Sequence, residues 1–137
     1  LWVRRSAADA LGALGDVHAA GPLAVLARQG PLLTRTAALA ALGHLPCKVA
    51  RETLTACLAD SEGEVRWQAA HALEAVGTSA SLPALERLLD DDYTLFDKPV
   101  RAVALEAIRA IGQREQGIWH ALRLALMRLL GRLRRRP

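Results

Sequence analysis

The thirteen-residue stretch VRWQAAHALEAVG, Val65–Gly77, decides how the rest of the chain is read. Val65, Ala69, Ala72, Leu73 and Val76 fall at i, i+4, i+7, i+8 and i+11, one face of a helix about three turns long. Gly77 follows the last apolar position, where a left-handed C-terminal cap favours glycine. The pattern recurs at Val3–Gly15 (VRRSAADALGALG), Pro31–Gly43 (PLLTRTAALAALG) and Val100–Gly112 (VRAVALEAIRAIG). Successive copies start 28, 34 and 35 residues apart, room for two helices and two turns. The second copy is looser, with Arg35 where the others carry alanine.

Working outward, a second helix is predicted between copies, marked by Leu23 and Leu26, by Val49, Leu54 and Leu58, and by Leu85, Leu88 and Leu89. Pro22, Pro46 and Pro83 sit near its starts, where a missing N–H costs little. Each helix pair is apolar on more than one face, so it must stack on its neighbours to be stable. The expected fold is all-α: an α-solenoid of about four helix pairs, forming one domain over residues 1–137. The longer link from Leu89 to Val100 (DDDYTLFDKP between them) should bulge as a surface loop. After Gly112 the pattern fails, because Arg123 stands where Leu26, Leu54 and Leu88 stood; residues 115–135 read as a capping or extension helix.

Composition agrees. Hydrophobic residues make up 52% of the 137 residues, yet only Trp2, Trp67, Trp119, Tyr93 and Phe96 are aromatic. Alanine and leucine, both strong helix formers, carry the apolar load. Arg132, Arg134, Arg135 and Arg136 account for the whole net charge of +4, so residues 1–131 carry no polyanion-binding excess. Cys47 and Cys57 lie in one predicted helix, roughly 15 Å apart and beyond disulfide reach, and read as core residues in a reducing compartment. No apolar run nears the roughly 20 residues of a membrane helix, and no signal peptide is evident.

The motif Val-Arg-x-x-Ala-Ala-x-Ala-Leu-x-x-Leu-Gly, best kept at Val65–Gly77 and followed by a Leu-rich helix ending in Asp, resembles the HEAT-like repeat family, in the short bacterial form of the phycobilisome-lyase type. The resemblance covers about residues 3–112. It implies that each Val-Arg helix is the second of its unit and lines a concave face. The chain would then open on a second helix whose partner is cut away, an excised fragment able to self-associate through an exposed N-terminal flank. It also implies protein binding.

Aligning the copies sets three concave rows: Arg5, Leu33, Trp67 and Ala102; Asp9, Ala37, His71 and Glu106; Gly12, Ala40, Glu74 and Arg109. Trp67, His71 and Glu74 share one stripe, and tryptophan is frequent among binding hot spots. The candidate partner-binding set is Arg5, Asp9, Leu33, Trp67, His71, Glu74, Glu106 and Arg109. The bland alternative for Trp67 is packing on the adjacent repeat. His71 and Glu74 could form an acid/base pair or half a metal site. Yet the four histidines lie in different segments and no Cys-x-x-Cys or His-Glu-x-x-His occurs, so no metal or cofactor is expected. Arg4, Arg66 and Arg101 recur at one repeat position, and their structural reading is a bridge to the aspartates ending the preceding helix: Asp60 for Arg66, Asp90–Asp92 for Arg101.

Trp119, Leu122, Leu126, Leu129 and Leu133 share one helix with seven basic residues from Arg114 to Arg136. Capping of the solenoid is the favoured reading, with Arg132, Arg134, Arg135 and Arg136 as a possible polyanion contact to nucleic acid or an anionic membrane surface. The functional expectation is a non-catalytic protein-binding scaffold within a larger bacterial cytoplasmic protein. The rivals are a bilin lyase or lyase accessory, and anionic-surface binding by the arginine helix.

Overall fold

The computed structural model describes residues 17–134, apart from the Leu133 side chain. The copy at Val3–Gly15, with Arg4, Arg5 and Asp9 and the expected open N-terminal flank, lies outside the described residues, as do Arg135 and Arg136. After a 3-10 turn at Val17–Ala19 come α1 (Ala20–Arg28), α2 (Leu32–Leu42), α3 (Lys48–Cys57) and α4 (Gly63–Val76). A 3-10 turn at Ser79–Ser81 leads into the short α5 (Leu82–Glu86), and a two-stranded hairpin, β1 (Thr94–Leu95) and β2 (Lys98–Pro99), precedes α6 (Val100–Leu133). The chain is an all-α solenoid. An inner layer of α2, α4 and the start of α6 packs side by side, and α1, α3 and α5 back it as an outer layer.

The periodic positions make the core. Val65, Ala69, Ala72, Leu73 and Val76 of α4 are buried, as are Val100, Ala104, Ala107 and Ile111 of α6. Leu23, Leu54 and Leu85 reach the same core from the outer helices. Cys57 is buried there, and desolvation, with Asp60 adding to it, pushes its thiol above the ordinary range.

In the second copy, Thr34 is buried at the place of Val65 while Pro31 is exposed, so the structural repeat runs from Thr34, three residues later than the sequence alignment put it. Arg35 is then the counterpart of Arg66, not an intruder at an alanine position. The ion pairs agree: Arg35 binds Asp60, and Arg66 binds Asp91 at 2.6 Å, each partner 25 residues downstream. Asp60 therefore gives its carboxylate to Arg35, and only its backbone carbonyl to Arg66 at 3.0 Å. Arg101 does pair with Asp92. Three residues are nearly one helical turn, so either register keeps Ala38 and Leu42 on the apolar face, which hid the slip.

Two glycines depart from the expected caps. Gly77 has φ −64° and ψ 154°, extended and not left-handed. A Cβ there would stand 2.5 Å from the Leu73 carbonyl oxygen and 2.7 Å from Ile111 Cδ1, so glycine serves the close approach of α6. The carbonyls of Glu74 and Gly77 accept hydrogen bonds from Arg114, a cation closing the C-terminal end of α4 from the neighbouring helix. Gly112 ends nothing: α6 runs through it for 34 residues.

The second half of α6 does not cap the core. Ile118, Trp119, Leu122, Leu126 and Leu129 are all exposed, and the helix extends beyond the body of the solenoid. The link after Leu89 is likewise more ordered than a bulging loop. Tyr93 lies on Gly63, its carbonyl accepts from Val100 N–H at 2.8 Å, and Asp91 takes Arg101 N–H at 3.0 Å. That leaves the hairpin turn, Phe96–Asp97, beside the inner layer.

Candidate functional site

On the inner layer Thr36, Trp67 and Ala102 form one row, Ala40, His71 and Glu106 the next, and Gly43, Glu74 and Arg109 the third, once α2 is set in its structural register. Leu33 therefore leaves the first row. It is exposed at the start of α2, and Ala37, expected beside His71, is buried.

Trp67 is covered. Only 7% of it is exposed, and its Nε1–H donates to the Lys98 carbonyl at 3.0 Å. Phe96 meets its ring nearly edge-on at 5.6 Å, and the His71 ring lies 5.2 Å from it. The hairpin thus closes over the tryptophan and substitutes its own aromatic at the surface. Phe96 is 81% exposed. It also has φ +51°, followed by Asp97 at +59°, the paired left-handed conformation of a tight hairpin turn. Glycine and asparagine normally take such positions, and a bulky residue there is strained. The hairpin pairing of Thr94 with Pro99 and Leu95 with Lys98 holds it.

Charged groups border this aromatic cluster. Lys98 bridges from β2 to Glu106 on α6. His71 Nδ1 and Glu74 Oε2 lie 3.8 Å apart, both well exposed. Arg109 follows one turn after Glu106 and is exposed. The structure therefore brings Trp67, His71, Glu74 and Glu106 into one neighbourhood, with Arg109 at its margin, and keeps Leu33 out. Phe96 is the residue the sequence reading missed. Its only signal was a lone phenylalanine in the one link that departs from the repeat length.

Chemically, the cluster offers an aromatic platform with mixed charge around it. Among the described residues no group of three His, Cys, Asp or Glu side chains gathers as a metal site. No described helix is long and apolar enough to cross a membrane. Arg132 and Arg134 lie exposed on the extension of α6, more than a turn beyond any buried residue.

Comparison with known families fits this architecture. A model described as PBS lyase HEAT-like repeat matches residues 3–28. No curated protein matches the chain. The model described as HEAT repeats matches residues 21–109, which is most of the chain and spans α1 through the first turns of α6. With its stacked helix pairs and recurring arginine–aspartate ties, the chain belongs to the HEAT-repeat family.

Proposed function

We propose that this HEAT-repeat scaffold is non-catalytic and docks a partner protein on its concave face, at a patch of Phe96, His71, Glu106 and Arg109 floored by Trp67. The observation that carries this reading is Phe96: a large apolar side chain held 81% exposed, in a strained backbone conformation, with a buried tryptophan bracing it. Exposed aromatics on a rigid support are the residues that dominate interface energetics. Glu74 and Arg109 supply polar rim contacts.

The test is to place a photo-cross-linking residue at position 96 and, separately, at the exposed Val25 on the outer layer. A partner identified from position 96 and not from position 25 is then titrated against variants. Phe96→Ala is expected to weaken binding at least about tenfold, and Val25→Ala to leave it unchanged. Equal cross-linking from both positions, or equal affinity of the Phe96 variant, would sink the reading.

The match to a PBS lyase HEAT-like repeat over residues 3–28 favours one second reading, a bilin lyase or lyase accessory. His71 and Glu74 would then be the candidate reactive pair on the face. Binding of a linear tetrapyrrole by the chain, lost in Trp67→Ala, would support it, and absence of such binding would remove it.

A further inference from the structure

The outer layer of the solenoid is not closed. α1 and α3 pack on one another, but α5 has five residues against the ten of α3, and its approach is a 3-10 turn. The shortfall leaves a groove of about 920 Å³ between α3 and α5. That is near the top of the range of ligand clefts, roughly 300–1,000 Å³. Its floor is small and apolar, with Ala56, Ala59 and Ala84. Across its base the Ser81 hydroxyl donates to Thr55 Oγ1 at 3.1 Å, while the Thr55 hydroxyl donates to the Arg51 carbonyl at 2.7 Å.

The rim is basic. Lys48 has Glu52 for a neighbour at 3.7 Å, and Arg66 is held by Asp91. Arg51 from the α3 wall and Arg87 from the α5 wall face the same groove with no carboxylate partner among the described residues. Two unpaired guanidiniums over one apolar trough favour an anionic occupant, because it relieves their mutual repulsion and offers each a charge-assisted hydrogen bond.

We propose that this groove binds an acidic peptide segment of a partner protein, with carboxylates on Arg51 and Arg87 and aliphatic side chains on the alanine floor. Two of the chain's own segments do not fit it. Residues 116–137 carry six arginines and no acid, and in the acidic run Asp91 and Asp92 are already paired with Arg66 and Arg101. The groove is trough-shaped, with charge on both walls, which suits an extended chain carrying both polar and apolar side chains. It lies on the outer layer, away from Phe96, and so stands independently of the concave-face reading.

Fluorescence anisotropy of a labelled peptide alternating glutamate with leucine tests it, with glutamate–serine and lysine–leucine peptides as controls. The glutamate–leucine peptide is expected to bind and the lysine–leucine peptide not to. Arg51→Ala with Arg87→Ala is expected to weaken binding at least about tenfold. Ala84→Trp, which fills the floor without changing charge, should do the same with helix content unchanged by circular dichroism. If that variant loses its helix content, Ala59→Leu takes its place. Phe96→Ala should leave binding intact. Absence of binding by the unaltered chain, equal binding by the double arginine variant, or equal binding of the glutamate–serine peptide overturns the proposal.

Discussion

Thr34 stands where the next two repeats carry Val65 and Val100, and its hydroxyl is buried without a hydrogen-bond partner. Such a hydroxyl costs about 1–3 kcal/mol, and valine has the same shape. Thr34→Val is therefore expected to raise the unfolding free energy by about 1 kcal/mol in urea denaturation; a fall instead would mean the hydroxyl is used. Gly77 and Gly112 close corresponding copies of the motif, yet they should respond in opposite directions. Gly77→Ala drives a methyl against a backbone carbonyl and Ile111, and should cost about 1–3 kcal/mol. Gly112→Ala meets open space inside a helix and should gain about 0.5–1 kcal/mol. Matched thermal melts of the two variants decide it. The motif made the two glycines look alike, since the difference arises from which helix lies across from each.

Between elements, the arginine–aspartate pairs are the recurring tie. Arg35 to Asp60 and Arg66 to Asp91 each fasten an inner helix to the turn that ends the following outer helix. Arg66 holds the Asp91 carboxyl below the usual range, against the opposing effect of burial. For Asp60, burial pulls upward most strongly, but the Glu62 N–H and Arg35 together outweigh it and the carboxyl is again lowered. Both groups bind protons less readily folded than unfolded. Their contribution to stability is thus fully present above the ordinary aspartate value of about 3.9, and is lost as pH falls through the lower folded values. Arg66→Ala is expected to cost about 1.5–3 kcal/mol at neutral pH, with the gap from the unaltered chain narrowing as pH falls below the ordinary aspartate value of about 3.9. Guanidinium titrations at both pH values check this, and a gap that stays constant would show that the arginine acts through packing. That arginine and aspartate would bridge was readable from their recurrence at Asp60, Arg66 and Arg101. The pairing of Arg101 with the Asp90–Asp92 run was readable too, but that Asp60 meets Arg35 and Asp91 meets Arg66 was not, because partners 25 residues apart are chosen by the stacking.

Across the whole molecule, cohesion resides in α1–α5 and the first turns of α6, while the outer half of α6 buries none of its large apolar side chains among the described residues. Removing residues 118–137 should leave the thermal midpoint within about 2 °C, since a loss of 1 kcal/mol would move a domain of this size by several degrees. A larger drop would show that this helix folds back on the core. The amino-acid sequence by itself determined the helical solenoid, its repeat and most of its core, because 3.6-residue periodicity and strong helix formers act locally and were written at Val65–Gly77 in full. Only the tertiary structure decided what the surface offers. Trp67 shared a stripe with His71 on its own helix, but a hairpin from a later segment covered it and left Phe96 outside. The shortness of α5 opened a groove whose two arginines without a carboxylate partner among the described residues come from α3 and from the end of α5. Both outcomes depend on segments distant in sequence meeting in space, and no local period encodes that.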